Sequence, residues 1–467
     1  MKVVLTVVEG PHAGKSFAFE EHDNFIVGRA SCAHFRLPRK DEFFSRVHFM
    51  VEVNPPCCRL MDMGSRNGTF VNGQRVQQPV DIHDGDTIQG GNTLIQVAID
   101  GHTPASPASF ASSRPTTGAR GPTRSAALRT SPPPPGPPAA APPAAPDGPG
   151  SGIASDMATA VPPEPAGSAQ WPEATRRVLP ADYRERIAGR PQEIPGYLVV
   201  DEIGRGGMGI VFLAVCQADG AAVALKTIKP HIAAGAGDLE RFFREADILR
   251  KLKHPHIVAF REMGEAAGEL FFAMDYVPGV DVAKLLRNHG GPLDIPRAVR
   301  LVSQLLLALE YAHGQGFVHR DIKPANLLVA GIDGRETVKL ADFGLARTYQ
   351  SSRLSGLTMM GDLGGTVAFM PPEQITNYRE ARPPADQFAA AATLYFLLTA
   401  QCIHDFPAEI SQQLLRILQH DAVPLRDRRP EVPDALAAVI HRALDREPEK
   451  RFPSAAALRK ALAAWSR

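Results

Sequence analysis

The stretch HRDIKPANLL, residues 319–328, carries the most specific chemistry in this chain. Asp321 and Asn326 keep a D-x-x-x-x-N spacing, and Lys323 lies between them. An aspartate at that position can accept the proton of an attacking hydroxyl, and the asparagine amide oxygen can hold a magnesium ion. An ordinary polar loop after a helix is the structural alternative, but the ten residues taken together favour a catalytic loop.

A glycine-rich motif lies upstream, in IGRGGMGIVF at residues 203–212. Gly204, Gly206 and Gly209 have the G-x-G-x-x-G spacing, which is weak evidence alone because dinucleotide sites share it. A dinucleotide site would continue into a helix, whereas the residues after these glycines are strand-like. The context favours a flap whose backbone N–H groups approach the phosphates of ATP.

Three further residues complete a phosphoryl-transfer site in the expected chain order. The strand-like VALK ends at Lys226, and Glu245 lies in the middle of the helical pattern RFFREADILRKL. A buried Lys–Glu pair would hold the ammonium against the α and β phosphates. In ADFGLAR, Asp342 supplies a carboxylate, a hard oxygen donor of the kind Mg²⁺ prefers.

Length and composition predict several domains. The 467 residues are too many for one core, and strands precede helices after residue 190, which predicts an α+β region with a small β lobe and a large helical lobe. Residues 1–100 contain short strand-like runs separated by glycine-rich turns, a pattern typical of a β-sandwich. Between them, residues 101–190 hold 19 of the 42 prolines and no lysine, which predicts a disordered Pro/Ala-rich linker.

Charge and cysteine usage exclude several classes of protein. The net charge of +1 argues against a dedicated nucleic-acid binder, which would have a basic excess. Five cysteines without a Cys-x-x-Cys pattern indicate neither a disulfide framework nor a zinc site, so a cytoplasmic location is expected. The apolar stretch at residues 388–403 is too short to span a bilayer, and we predict a buried helix there.

The motifs from about residue 196 to 465 resemble those of bacterial eukaryotic-like (Hanks-type) Ser/Thr protein kinases. The resemblance implies a bilobal kinase fold, with Asp321 as catalytic base and Lys323 and Thr366 at the substrate hydroxyl. It implies that Met274 is the gatekeeper, and that Asn326 and Asp342 are the metal ligands. The residues expected to surround ATP are Ile203, Gly204, Arg205, Gly206, Gly207, Met208, Gly209, Ile210, Val211, Ala224, Lys226, Met274, Asp275, Val277 and Leu328.

The same resemblance assigns three structural and regulatory features. Glu373 is expected to form a buried ion pair with Arg451, and Asp386 is expected to order the catalytic loop. Arg320 precedes the catalytic aspartate, and in the family such an arginine often pairs with a phosphorylated activation loop. Thr358 is the favoured phosphorylation site in that loop, with Ser355 second.

The N-terminal clusters VGR, SRVH and DMGSRNGTFVNG resemble those of a forkhead-associated (FHA) domain. Alone, their Asn-Gly and Gly-Ser dipeptides would indicate only hairpin turns. The resemblance implies that Arg29 and Ser45 bind the phosphate of a phosphothreonine. It implies that Arg46, Arg66 and Asn67 contact the phosphate or the peptide backbone, while Gly28, His48 and Gly68 are structural.

The expected function is therefore transfer of the γ-phosphoryl group of ATP to Ser or Thr of proteins, including autophosphorylation, with Mg²⁺ as the metal and Mn²⁺ as its alternative. The FHA domain is expected to bind phosphothreonine peptides for recruitment or autoregulation, in cis or in trans. The expected partners are protein substrates, phosphothreonine proteins and a second copy of the chain, with no nucleic acid and no membrane segment. The alternative is a pseudokinase scaffold that acts through its FHA domain, although a pseudokinase would usually have lost at least one catalytic residue.

Overall fold

A computed structural model of the chain describes residues 2–20, 22–38, 43–99, 172–182, 194–206, 209–228, 250–266, 269–331, 335–342, 367–377 and 381–467. Helices and strands are numbered in chain order within those residues.

The N-terminal region is a sandwich of two sheets with mainly antiparallel strands. Its strands are β1 (Val3–Glu9), β2 (Ser16–Phe19), β3 (Asp23–Gly28), β4 (Phe35–Arg36), β5 (Phe49–Asn54), β6 (Cys57–Asp62), β7 (Thr69–Val71), β8 (Gln74–Arg75), β9 (Val80–Ile82), β10 (Thr87–Gly90) and β11 (Thr93–Ile99). One sheet has the order β2-β1-β11-β10-β7-β8 and the other the order β4-β3-β5-β6-β9. The predicted β-sandwich is confirmed.

Alternating side chains build the sandwich core. Val3, Leu5 and Val7 of β1 are fully buried, because successive side chains of a strand point to opposite faces. Phe35 and Phe49 from the second sheet join the same core. The loops that follow β3, β4 and β6 carry the clusters predicted to bind a phosphopeptide.

The second region begins with a five-stranded antiparallel sheet of order β12-β13-β14-β16-β15. Its strands are β12 (Tyr197–Gly206), β13 (Gly209–Cys216), β14 (Ala222–Ile228), β15 (Phe260–Ala266) and β16 (Glu269–Asp275), and a smaller sheet contains β17 (Val280–Asp281), β18 (Leu327–Ala330) and β19 (Thr337–Leu340). Helices dominate after β17, so the predicted β lobe followed by a helical lobe is confirmed.

The helical lobe is organised around two long helices. The helices are α1 (Glu173–Val178), α2 (Val282–His289), α3 (Ile295–Gly314), α4 (Pro372–Thr376), α5 (Pro383–Thr399), α6 (Ile410–Gln419), α7 (Leu425–Arg428), α8 (Asp434–Ala443) and α9 (Ala455–Leu462). Asp294 caps α3 by accepting a hydrogen bond from the Arg297 N–H, a typical N-terminal arrangement. Most residues of α5 are buried, as expected for a helix in the middle of a lobe.

Residues 388–399 of the apolar stretch therefore lie in a buried helix, as predicted, and residues 400–403 follow its end. Within the described parts of the chain, no helix is both long and apolar enough to cross a membrane.

A short helix lies inside the span predicted as linker. Helix α1 packs against the β lobe, where the buried Thr175 hydroxyl accepts a hydrogen bond of 3.1 Å from the Ala222 N–H. The linker prediction depended on proline, whereas Glu173–Val178 contains none and can form a helix. The prediction of disorder is thus wrong for these few residues.

Candidate active site

The glycine-rich motif forms the hairpin between β12 and β13. Gly206 pairs with Gly209 at its end, and Gly204 lies opposite Val211. Among the described residues, a Cβ added at Gly204 would contact the Val211 side chain, at 3.7 Å. Gly207 and Met208, at the tip, lie outside the described residues. The hairpin therefore provides the predicted strand-turn-strand context and not the helix that a dinucleotide site requires.

Lys226 lies on β14 with only 7% of its surface exposed. Its ammonium Nζ donates a hydrogen bond of 2.8 Å to the Asp342 carboxylate Oδ2. Burial alone would raise the pKa of Asp342, but the charge and hydrogen bond of Lys226, together with the charges of Lys323 and His319, outweigh burial and hold that pKa below the usual range. Glu245, the predicted partner of Lys226, lies outside the described residues.

The catalytic loop is closed by hydrogen bonds to Asp321. The Lys323 ammonium donates to the Asp321 carboxylate Oδ2 at 2.9 Å, and the Asn326 amide donates to the same oxygen at 3.0 Å. The amide also donates to the Asp321 backbone carbonyl at 2.8 Å. The Ala341 N–H donates to the Asn326 carbonyl at 2.8 Å, which places Asp342 beside the loop.

Asp386 holds the backbone of the catalytic loop from beneath. Its carboxylate is 1% exposed and accepts hydrogen bonds from the N–H groups of His319 and Arg320, both at 2.8 Å. His313 adds a third bond through Nε2 at 2.7 Å. Burial alone would raise the pKa of Asp386, but His313 and the other donors outweigh it and hold that pKa below the usual range.

Arg320 in the catalytic loop and Asp342 beside it adopt left-handed backbone conformations. Arg320 has φ of 66° and Asp342 has φ of 58°, values that a residue with a side chain seldom adopts. Such strain persists only where the surroundings over-determine it. The Asp386 bond fixes Arg320, and the Lys226 ion pair fixes Asp342.

The residues expected around adenine lie where the β lobe faces the loop. Ala224 and Met274 are neighbours across β14 and β16. Ile203 is an exposed apolar side chain, at 44% exposure, whereas Val277 is buried. Leu328 follows the catalytic loop on β18 and is half-buried. Their contact with a nucleotide stays a prediction.

The predicted ion pair between Glu373 and Arg451 is confirmed. Arg451 forms a fork with the Glu373 carboxylate, with N···O distances of 2.5 and 2.8 Å. The guanidinium also donates to the carbonyls of Pro384, at 2.9 Å, and Asp445, at 2.7 Å. Its side chain has no exposed surface, so the pair ties α4 to the end of the helical lobe.

Thr366, Thr358 and Ser355 lie outside the described residues. The chain is described again from Val367, where a short turn, Val367–Phe369, precedes α4. All three residues of the turn are buried.

At the tip of the sandwich, three loops bring the predicted phosphate-binding residues together. The Arg29 N–H donates to the Ser45 carbonyl at 3.2 Å, and the Arg66 N–H donates to the Ser45 hydroxyl at 3.0 Å. The Asn67 amide donates to the Phe43 carbonyl at 2.9 Å. Arg46, Arg66 and Asn67 are exposed, as a peptide-binding face requires.

The structural roles predicted for His48 and Gly68 are confirmed. His48 is completely buried, and its Nδ1 accepts a hydrogen bond of 3.1 Å from the Ser45 N–H. Nε2 then carries the proton and donates to the Gly68 carbonyl at 3.2 Å. At Gly28, an added Cβ would lie 2.3 Å from the Arg46 carbonyl oxygen, so only glycine fits beside that loop.

Residues 197–462 match the family model of the protein kinase domain, which is more than half of the chain. The chain belongs to the protein kinase family. Residues 25–91 match the model of the FHA domain, so the sandwich is an FHA domain.

The relatives are bacterial Ser/Thr kinases. Serine/threonine-protein kinase PknF of Mycobacterium tuberculosis is 37% identical over 262 residues, which cover 55% of this chain and 53% of the relative. PknJ of Mycobacterium bovis is 35% identical over 272 residues, with coverages of 58% and 45%. This chain thus spans about half the length of the curated relatives it matches. Among solved structures, the PknI kinase domain of M. tuberculosis aligns with 28% identity and a TM-score of 0.47, covering 59% of this chain and all of that domain.

Two residues position the candidate sites and were not predicted from the sequence. In the FHA domain, Asp62 accepts hydrogen bonds from the N–H and hydroxyl of Ser65 and from the Thr69 hydroxyl, and so fixes the loop that carries Arg66. In the kinase domain, His313 supports Asp386. Asp62 is the first residue of the DMGSRNGTFVNG cluster, which the sequence did single out. No motif in the sequence marks His313, which lies at the end of the long helix α3.

Proposed function

We propose that this chain is an ATP-dependent Ser/Thr protein kinase whose FHA domain binds phosphothreonine peptides. The observation that carries the proposal is the arrangement around Asp321, where Lys323 and Asn326 converge on one carboxylate oxygen. The similarity to Ser/Thr kinases supports the choice of acceptor. No observation favours a pseudokinase scaffold.

The chemistry follows from charge and position. Asp321 orients the acceptor hydroxyl and takes its proton, while the Lys323 ammonium offsets negative charge that develops on the transferring phosphoryl group. Lys226 is the cation for the α and β phosphates of ATP, the phosphoryl donor. Asp386 acts indirectly, since it holds the backbone that carries Asp321.

The donor set fits a magnesium ion. Asp342 and Asn326 offer one carboxylate and one amide oxygen, both hard donors. Within the described residues, neither Asp342 Oδ1 nor Asn326 Oδ1 accepts a hydrogen bond, because the contacts of these side chains use Oδ2 and Nδ2. Mg²⁺ bound there would neutralise phosphate charge, and Mn²⁺ would suit the same oxygens.

Metal removal gives the first test. The purified full chain, incubated with Mg²⁺, γ-labelled ATP and peptides containing Ser, Thr or Tyr, should label Ser and Thr of the peptides and of the chain itself. EDTA should reduce labelling to background, and added Mg²⁺ should restore it. Phosphoamino-acid analysis identifies which of Ser, Thr and Tyr carries the label. Nucleotide binding without any transfer would instead identify a pseudokinase.

The FHA domain gives the second test. Arg29→Ala should weaken binding of a phosphothreonine peptide to the full chain by about 10- to 100-fold, because a charge-assisted contact of about 1.5–3 kcal/mol is lost. Arg36→Ala is the matched control, since Arg36 is an exposed arginine on β4 of the same domain. Calorimetric titration provides the affinities. Equal losses in the two variants, or equal affinity for the unphosphorylated peptide, would contradict the phosphate assignment.

A further inference from the structure

The outer face of the second FHA sheet is buried although the sandwich does not cover it. Phe25 and Val27 of β3 point into the sandwich core, so Ile26 between them points the other way. Ile26 is nevertheless 0% exposed, and Met50, the corresponding outward residue of β5, is 1% exposed. Something outside the FHA domain covers this face.

The covering elements belong to the kinase domain. Ile26 and Met50 share one apolar cluster with Ile375 of α4 and with Leu414 and Ile417 of α6. All of these side chains are less than 2% exposed. These side chains are as buried as those of either domain core.

A hydrogen bond and a close backbone approach also join the two domains. The buried Asn24 amide of β3 donates a hydrogen bond of 3.2 Å to the Ile375 carbonyl in α4. Beside the apolar cluster, a Cβ added at Gly64 would lie 2.2 Å from the Gln412 side-chain nitrogen of α6. The β6–β7 turn of the FHA domain therefore lies directly on α6.

The covered kinase surface includes the residue that follows Thr366, which is expected to lie at the substrate hydroxyl. Val367, the residue after Thr366, is 1% exposed and belongs to the same cluster, and Met370 packs against it. The same cluster thus includes Val367 of the kinase domain and the outer face of the FHA sheet.

The phosphate-binding loops lie at the rim of this contact and stay open. Ala30 and Cys32, one and three residues after Arg29, pack against the cluster. Arg46 and Arg66 are exposed to solvent on the same loops. The docked FHA domain can therefore receive a peptide while its rim rests on the kinase domain.

We propose that the FHA domain is docked in cis on α4 and α6 and therefore holds a bound phosphothreonine at a fixed position relative to the kinase domain. The kinase then prefers protein substrates that already carry a phosphothreonine at a set distance from the acceptor Ser or Thr. The inference rests on the proposed function. An FHA domain held only by a flexible tether would present its bound phosphothreonine over a broad range of distances from the active site. A docked FHA domain fixes that distance, so the effective concentration of the acceptor at the active site is highest for one spacing between phosphothreonine and acceptor.

The test uses the full chain and peptides with one phosphothreonine and one acceptor serine, joined by Gly/Ser spacers of increasing length. We expect kcat/KM to reach a maximum at one spacing, at least about tenfold above the same peptide with unmodified threonine. Met50→Lys should remove the maximum, because a charge cannot be buried against Leu414 and Ile417. In Met50→Lys, the affinity for the phosphothreonine peptide and the activity on the peptide with unmodified threonine should not change.

Two further variants show whether the effect of Met50→Lys comes from lost docking or from misfolding. Gln412→Trp adds bulk from the kinase side of the contact and should also remove the maximum in kcat/KM. Val8→Lys changes an apolar side chain that is 40% exposed on β1, away from the contact, and the maximum in kcat/KM should remain. Hydrogen exchange should show α6 less protected in Met50→Lys and Gln412→Trp, with α5 unchanged.

The outcomes are separable. A flat dependence on spacing in an active, phosphothreonine-binding chain would overturn fixed docking, as would a maximum that survives both disruptive variants. Loss of transfer or of phosphothreonine binding in the unmodified chain would instead refute the proposed function.

Discussion

Asp321→Asn should lower kcat by about 10²- to 10⁴-fold, the usual contribution of a positioned general base, and should leave nucleotide affinity largely unchanged. Asparagine nearly matches the shape of aspartate but cannot accept the proton. The variant also removes the negative charge that Lys323 contacts at 2.9 Å. The loss should therefore appear in turnover rather than in binding, because Lys226 and Asp342 remain in place.

Asp421→Asn is the matched control, since Asp421 is an exposed carboxylate outside the catalytic loop. Steady-state kinetics give kcat, and titration with a fluorescent nucleotide gives the affinity. The catalytic-base assignment is wrong if Asp321→Asn turns over as fast as Asp421→Asn. A joint loss of turnover and nucleotide affinity would point to a disturbed loop.

The sequence could assign candidate catalytic residues because phosphoryl transfer requires particular residue types at fixed spacings. Lys226, Asp321, Asn326 and Asp342 are each named by a local motif, and the described residues bring all four together around one loop. The residues that position them are less constrained. Any donor that reaches the Asp386 carboxylate would serve, so no local pattern marks His313.

The contact between the domains was not predicted, although a signal for it was present. A strand that is exposed on one face alternates apolar and polar residues, whereas continuous apolar runs indicate cover on both faces. The runs FIV in β3 and FMV in β5 are continuous and apolar, so they indicate strands that are covered on both faces. The sequence could indicate a covered face but not which helices cover it, because α4 and α6 lie more than 300 residues away.

Arg451→Met should lower the free energy of unfolding by about 3–5 kcal/mol, the cost of leaving one member of a buried ion pair without its partner. Arg451 has no exposed side-chain surface, and its fork neutralises Glu373 while it caps two backbone carbonyls. Arg459→Met is the control, because Arg459 and Glu310 form a surface pair at 3.5 Å that is worth at most about 1 kcal/mol. Urea unfolding followed by circular dichroism measures both. Adding Glu373→Gln to Arg451→Met should restore part of the loss, since the unpaired charge is then removed. Near-equal stabilities of the two arginine variants would show that the buried pair does not hold the helical lobe together.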